Sequence, residues 1–440
     1  MDATRSRGFG KANLFAWILF LFFVTLHADQ LNVVWGGYTI RLSNLIAFGL
    51  IILVLVGLRG HILSVNKWLA FPLLLLTLSI TCSLFFSPYK ERCSLYLGWY
   101  VLTLLCYVLL PYLIMKFWDA EKVFILYQAS FLCVGCYALL QLILSLIGIC
   151  DPFATQKLAG NIVRPNAFCF EPSFYALYMT PFVFFYNMRW LCQQSGKWLG
   201  LLAVNILYLI STSTAVFFAY ATFFLLLLTI PRVISRRKAL RLILVFCGFA
   251  LVMSLFFPFM VKHFFLKFFF HGFMTHHSFY ERWMGIENGW NIFIQHPIFG
   301  VGLGGYPPYL MDAYLRGDTT FSFIGMHALI GEVANPVKLF EAMNVSTELM
   351  ASLGLAGLCA FGSLLYGLFV QVKRTLRSEK PTAYCWLFSM IVTLIVLQFN
   401  QGIFRTYIWV HLALVYAYLE KTTRAATVLG NEPAPIHHLT

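Results

Sequence analysis

The sequence predicts an all-α bundle that crosses a membrane about twelve times, and three observations carry that expectation. Only 11% of the residues are charged, against roughly 25% in soluble domains. Hydrophobic residues make up 60% of the chain and aromatic ones 18%, with a mean hydropathy of +0.78. The apolar residues also fall in runs of about 20, the length a helix needs to cross the hydrocarbon core. A backbone in lipid must satisfy its own hydrogen bonds, which a helix does within one segment. Barrel strands would alternate polar and apolar residues, and these runs do not.

The runs place spans at 12–28, 42–58, 68–86, 93–115, 122–148, 173–189, 198–212, 214–230, 240–257, 347–371, 383–400 and 402–420. The first follows a basic start, yet no small-residue cleavage site comes after it, so it reads as a retained helix. Only the run Ser211 to Thr214 separates the seventh and eighth spans. The chain thus divides into an N-terminal bundle (1–257), a long outer segment (258–346), C-terminal helices (347–420) and a tail (421–440).

Basic residues orient the bundle, because short cytoplasmic loops collect Lys and Arg. The loop 231–241 holds five of them and 373–380 holds four, which puts both termini in the cytoplasm. The outer loops are then 149–172 and 258–346. The net charge of +14 suits anionic lipid and requires no nucleic acid. Cys133 and Cys136, in a CVGC within a span, read as buried packing residues rather than a redox pair. Cys150 and Cys169 share an outer loop, where they could pair in an oxidising compartment.

Chemistry is expected where the hydrophobic pattern breaks. In NIVRPNAFCFEPS, Arg164 and Glu171 stand seven positions apart at the mouth of an apolar run. Charge at a membrane border is costly, so such an arginine has an anionic partner or faces a wet cavity. The bland reading is that the two neutralise each other. The other reading joins Arg164 to Arg282 of SFYERWMG and Arg405 of NQGIFRTYIW. Guanidinium groups bind phosphate oxygens in forked pairs at any relevant pH, so arginines converging at membrane level suit a lipid diphosphate.

The segment 258–346 is too long for a simple connection and is expected to be mostly helical. It holds six of the eleven histidines, but His327 and the others lack metal-ligand spacing, and no Asp-x-Asp occurs on the outer face. No catalytic metal or cofactor is expected. HPIFGVGLGGYPP lacks the Lys-Ser/Thr of a phosphate-binding loop and reads as a tight turn allowing close backbone approach. Asn344 and Glu348, four apart, share a helix face at the opening of the tenth span. They read either as cap and first-turn acid or as substrate-binding residues. Asp119 and Glu121 read as a helix-start pair.

In this order the motifs resemble the O-antigen ligase and polymerase superfamily of bacterial envelope glycosyltransferases. They are R-x6-E-P-S from Arg164, an arginine followed by HPIFGVGLG, and N-x9-G-x-x-G from Asn344. The resemblance covers the whole chain in topology and implies a GT-C-like fold with an active site on the periplasmic side of the inner membrane. It implies an undecaprenyl-diphosphate-linked glycan as donor and a lipid-linked repeat unit or lipid A–core as acceptor, with a chain-length regulator as a further partner. Arg164 and Arg282 match the family's diphosphate-binding arginines. The ligase pattern has His immediately before the Asn, where this chain has Met343, so a polymerase is the expected activity. A sugar diphosphate is a good leaving group, so charge stabilisation matters more than an acid. Glu171 is the first candidate base for the acceptor hydroxyl, with Glu348 and His327 behind it. Direct displacement would invert the anomeric centre. A ligase and a protein-directed oligosaccharyltransferase are the alternatives within the superfamily. A lipid-linked glycan transporter would share the basic cavity but should show repeat symmetry.

Overall fold

The computed structural model describes residues 6–35, 38–58, 65–159, 162–193, 198–229, 240, 243–244, 277–321, 344–376, 381–399 and 405–428. All of the expected ninth span but 240 and 243–244, His327 and the tail after Val428 lie outside the described residues, while 421–428 of the expected tail are helical.

Helix dominates, as the hydropathy requires. The helices are α1 (Ser6–Thr25), α2 (Leu42–Gly57), α3 (Lys67–Phe86), α4 (Lys90–Thr103), α5 (Leu110–Phe117), α6 (Ala120–Leu146), α7 (Pro172–Gln193), α8 (Trp198–Leu209) and α9 (Thr214–Thr229). Within 258–346 lie α10 (His277–Gln295) and α11 (Tyr306–Leu315), followed by α12 (Val345–Leu376), α13 (Pro381–Val396) and α14 (Thr406–Val428). Among the described residues, four helical stretches are long and apolar enough to cross a membrane: Lys67–Phe86, Lys90–Phe117, Ala120–Leu146 and Val345–Gln371. Shorter apolar helices include Leu42–Gly57, Trp198–Leu209 and Tyr384–Val396.

Local chemistry sets several helix starts. Asp119 accepts from the Glu121 N–H at 3.0 Å, so the helix-start reading of that pair holds. Asn66 does the same for Trp68 at 3.0 Å. Pro172 and Pro381 open their helices, where a missing N–H removes only a bond that would be absent anyway. Between α4 and α5 the chain runs as a π-helix, Leu104–Leu109.

Two small hairpins depart from the all-helical expectation. β1 (Asn32–Trp35) pairs antiparallel with β2 (Tyr38–Arg41), setting Asn32 opposite Arg41. β3 (Lys157–Ala159) pairs with β4 (Ile162–Val163) inside the 149–172 loop. Each lets connecting backbone satisfy its own hydrogen bonds at the bundle's rim.

The Ser211–Thr214 run does separate two helices. Tyr220 of α9 donates to Asn205 of α8 at 2.6 Å, across 15 positions of sequence. A continuous helix would hold those residues about 22 Å apart, so the chain reverses at 210–213. Asn205 and Asn187 also exchange reciprocal amide bonds at 2.8 and 3.1 Å. The core is aromatic: α13 lies along α7, with Trp386 stacked on Phe124 at 4.0 Å and close to Phe185 at 4.2 Å. Cys133 and Cys136 correct an expectation, since both are exposed and free on α6. They sit on its outward face, which an apolar side chain can occupy against lipid as well as against protein.

The two glycine motifs prove to be halves of one joint. α12 is broken at Gly354, whose φ of 61° and ψ of −151° are non-helical. The HPIFGVGLG turn fills the gap. Val301 and Gly302 donate to the Ala351 and Ser352 carbonyls, each at 2.9 Å, while Leu355 donates to Pro297 at 2.8 Å. Backbone groups freed by the break are thereby paired again. A Cβ at Gly354 would come 2.6 Å from the Ile298 carbonyl, and one at Gly300 would come 2.4 Å from the Ser352 carbonyl carbon. Gly354→Ala is therefore expected to destabilise the protein by roughly 3 kcal/mol, the scale of a strained backbone conformation. A melting temperature equal to wild type in purified protein would refute that dependence.

Candidate active site

Asp29 and Arg405 come from opposite ends of the sequence and meet at one end of the bundle. After α1 the chain turns into the β1–β2 hairpin, which returns Arg41 beside the turn it left. Arg41 Nη2 lies 3.1 Å from Asp29 Oδ1, and Arg405 Nη1 donates to Asp29 Oδ2 at 3.0 Å. Asp29 is fully buried, so one carboxylate bridges two guanidinium groups with little help from water. Buried charge is tolerated in such paired form. The Arg405 guanidinium also lies 3.5 Å from the ring centroid of Phe174, a cation–π contact. Thr406 Oγ1 donates to the Leu26 carbonyl at 3.2 Å, which ties α14 to the end of α1.

Amide side chains hold the 149–172 loop against this cluster. Gln141 of α6 accepts from the Asn166 and Ala167 N–H groups at 3.2 and 2.8 Å and donates to the Ala167 carbonyl at 3.1 Å. Gln30 donates to the Phe153 and Cys169 carbonyls at 2.9 and 2.6 Å. Tyr137 stacks on Phe168 at 4.5 Å. Cys169 is buried and Cys150 exposed, and both are free thiols. Burial pushes the Cys169 thiol up and Asp29 adds to that, while the two arginines Asp29 bridges pull it down by less.

Arg164 and Glu171 do not neutralise each other. Arg164 Nε and Nη2 donate to Thr212 Oγ1 and O at 3.0 and 3.2 Å, and Nη1 donates to Gln156 Oε1 at 2.7 Å. Burial lowers its pKa and the more distant Glu171 partly restores it; a guanidinium stays charged throughout. Thr212 sits in the α8–α9 turn with φ of 48°, so that reversal is what delivers Arg164's partner. Glu171 is exposed. Its carbonyl accepts from the Phe174 and Tyr175 N–H groups at 3.1 and 3.2 Å, and Ser173 donates to its carboxylate at 3.0 Å. The carboxylate thus stands in the open at the start of α7, three residues before the ring that Arg405 covers.

Asn344 and Glu348 lie at the start of the broken helix, and Arg282 on a helix packed against it. Asn344 caps α12: its Oδ1 accepts from the Thr347 N–H at 3.0 Å and its Nδ2 donates to the Gln398 carbonyl at 2.7 Å. The capping role is therefore present, and the amide is engaged at both ends. Glu348 is buried near Tyr306, whose hydroxyl is pushed above its ordinary range by burial and, less, by that carboxylate. Arg282 is half-buried on α10, a helix that packs against α12 through Gly289 and Thr347. His327 is outside the described residues.

Sequence reasoning missed Asp29 and Arg41. A signal was present: VVWGGYTI sets β-branched and aromatic residues around Gly-Gly, the pattern of a two-residue hairpin turn, and the two charges flank it. Among the described residues, no three His, Cys, Asp or Glu side chains gather as a metal-ligand set. No known family model matches the chain, and no curated protein matches it.

Proposed function

We propose that this chain is a membrane glycosyltransferase acting on an undecaprenyl-diphosphate-linked glycan at the periplasmic face of the inner membrane, and specifically a surface-polysaccharide polymerase. One observation carries the reading most. Arginine charge (Arg41, Arg164 and Arg405) gathers at one end of an apolar bundle beside an exposed carboxylate, Glu171. Arginines suit a diphosphate leaving group, and an open carboxylate suits an acceptor that must approach from outside.

In the proposed step the acceptor hydroxyl oxygen attacks the donor sugar's anomeric carbon. The bond from that carbon to the diphosphate oxygen breaks, and the diphosphate leaves with the electron pair. Glu171 takes the hydroxyl proton, and the arginines, with Arg282, stabilise the charge gathering on the diphosphate. Single displacement inverts the anomeric centre.

Arg164→Lys tests the leaving-group side. A single ammonium cannot bond Thr212 and Gln156 together and still present a fork to phosphate. Transfer is expected to fall by roughly tenfold to a hundredfold, the scale of a lost charged hydrogen bond or two. Normal turnover at matched expression would remove Arg164 from the reaction. Envelope glycans of a deletion strain test the activity itself. Loss of long chains with single repeats kept on core is the expected result. Unmodified core with lipid-linked polymer accumulating would make the chain a ligase.

A further inference from the structure

The N-terminus of α2 carries a set of donors that the fold leaves unused. Arg41 is the residue that caps it, yet its side chain makes no cap hydrogen bond. Its Nη2 faces Asp29, while Nε and Nη1 are buried with no hydrogen-bond partner among the described residues. Asn44 is 1% exposed. Its Oδ1 accepts from the Tyr107 hydroxyl, which is also 2.9 Å from Ser43 Oγ. Its Nδ2 is then directed away from Tyr107 and has no partner. The N-cap and N3 positions of a helix face each other, as capping boxes show, so these orphaned donors share one side of the helix start. Tyr107 belongs to the π-helical stretch between α4 and α5, a local distortion of the kind often found at functional sites.

Two further features give the location a sign. The first turn of a helix adds partial positive charge, although the Leu42 N–H is already taken by the Leu31 carbonyl at 3.2 Å. The Arg41–Asp29–Arg405 bridge has one more positive than negative group. Buried donors normally find acceptors, and the acidic group that faces them among the described residues, Asp29, is held between the two arginines.

We propose that the start of α2 is a binding site for a phosphoryl group, with Arg41 and Asn44 as its direct donors. This deepens the reading above, because it rests on a diphosphate-linked donor and names residues that would seat it. Depth favours a lipid-borne phosphoryl. α2 has 16 residues, about 24 Å, short of the ~30 Å hydrocarbon thickness. Below the site the exposed residues Leu45, Phe48 and Ile52 run down α2, a track along which an isoprenoid tail can lie.

The test uses full-length protein in phosphatidylcholine nanodiscs, titrated with farnesyl diphosphate and, separately, inorganic pyrophosphate. Arg41→Gln is expected to weaken farnesyl diphosphate binding roughly tenfold or more, and Asn44→Leu roughly fivefold, in variants whose cooperative unfolding shows that they remain folded. If Arg41→Gln does not fold, Arg41→Lys and Asn44→Leu answer the question in its place. Tighter binding of farnesyl diphosphate than of pyrophosphate assigns the phosphoryl to a lipid; equal binding, equally sensitive to the variants, assigns it to the free anion. Unchanged affinity for both probes in folded variants overturns the site, even if the wild type polymerises glycan. Variant-sensitive binding without any glycosyl transfer by the wild type keeps the site and overturns the polymerase reading instead.

Discussion

In well-folded Glu171→Gln protein, glycosyl transfer is expected to fall by roughly 10²-fold or more, the scale of general base catalysis. Binding of lipid-linked donor is expected to stay near wild type. The substitution keeps the shape of the side chain, and Ser173 can still donate to the amide oxygen as it does to the carboxylate. What is lost is basicity. Arg164 does not depend on Glu171 for its placement, because Thr212 and Gln156 hold the guanidinium. A double variant lacking both charges should therefore be as inactive as the worse single variant. A simple salt bridge predicts the opposite, since removing both partners leaves no buried charge unpaired. Wild-type transfer rates in Glu171→Gln would move the base to Glu348 or His327.

Asp29→Ala is expected to destabilise the protein by about 3–5 kcal/mol, as breaking a buried charge pair does. Asp29 has no exposed surface, and its removal leaves Arg41 and Arg405 facing each other without the carboxylate between them. Thermal unfolding in detergent checks this. Replacing all three charges with apolar residues of similar size should recover much of the loss, because no uncompensated charge remains. If Asp29→Ala melts with the wild type, the bridge contributes nothing to the fold, and Arg405 is positioned by Phe174 and its other contacts instead.

How far the site was legible can be followed residue by residue. Arg164, Glu171 and Arg405 stood out in the sequence because charge is rare there and each lay at the edge of an apolar run. The reading of Arg164 as something other than a partner for Glu171 needed the Ser211–Thr214 break, whose turn supplies Thr212 across 48 positions. Asp29 stood at the end of the first apolar run without attracting notice, because a single acid in a short loop looks like any solvated group. Its burial depends on α14 arriving 376 positions later. The glycine motifs were legible as tight turns and not as one joint, since nothing local in HPIFGVGLG names Ala351 and Ser352 as its partners.

By itself the sequence determined that this chain folds mainly into apolar helices, four of them among the described residues long enough to cross a membrane. Hydropathy and the rarity of charge are additive properties of local segments, and they decide which stretches become apolar helices whatever packs beside them. It also determined the helix starts at Asp119, Asn344 and Pro172, where a side chain or ring acts on backbone within a few residues. Tertiary structure alone decided which charges are neighbours. A guanidinium reaches several ångströms and bonds whatever acceptor the fold brings there, so its partner is set by helix packing and not by sequence distance. That is why Arg405 is joined to Asp29 and Arg41, why Arg164 is joined to Thr212, and why Glu171 is left open at the start of α7.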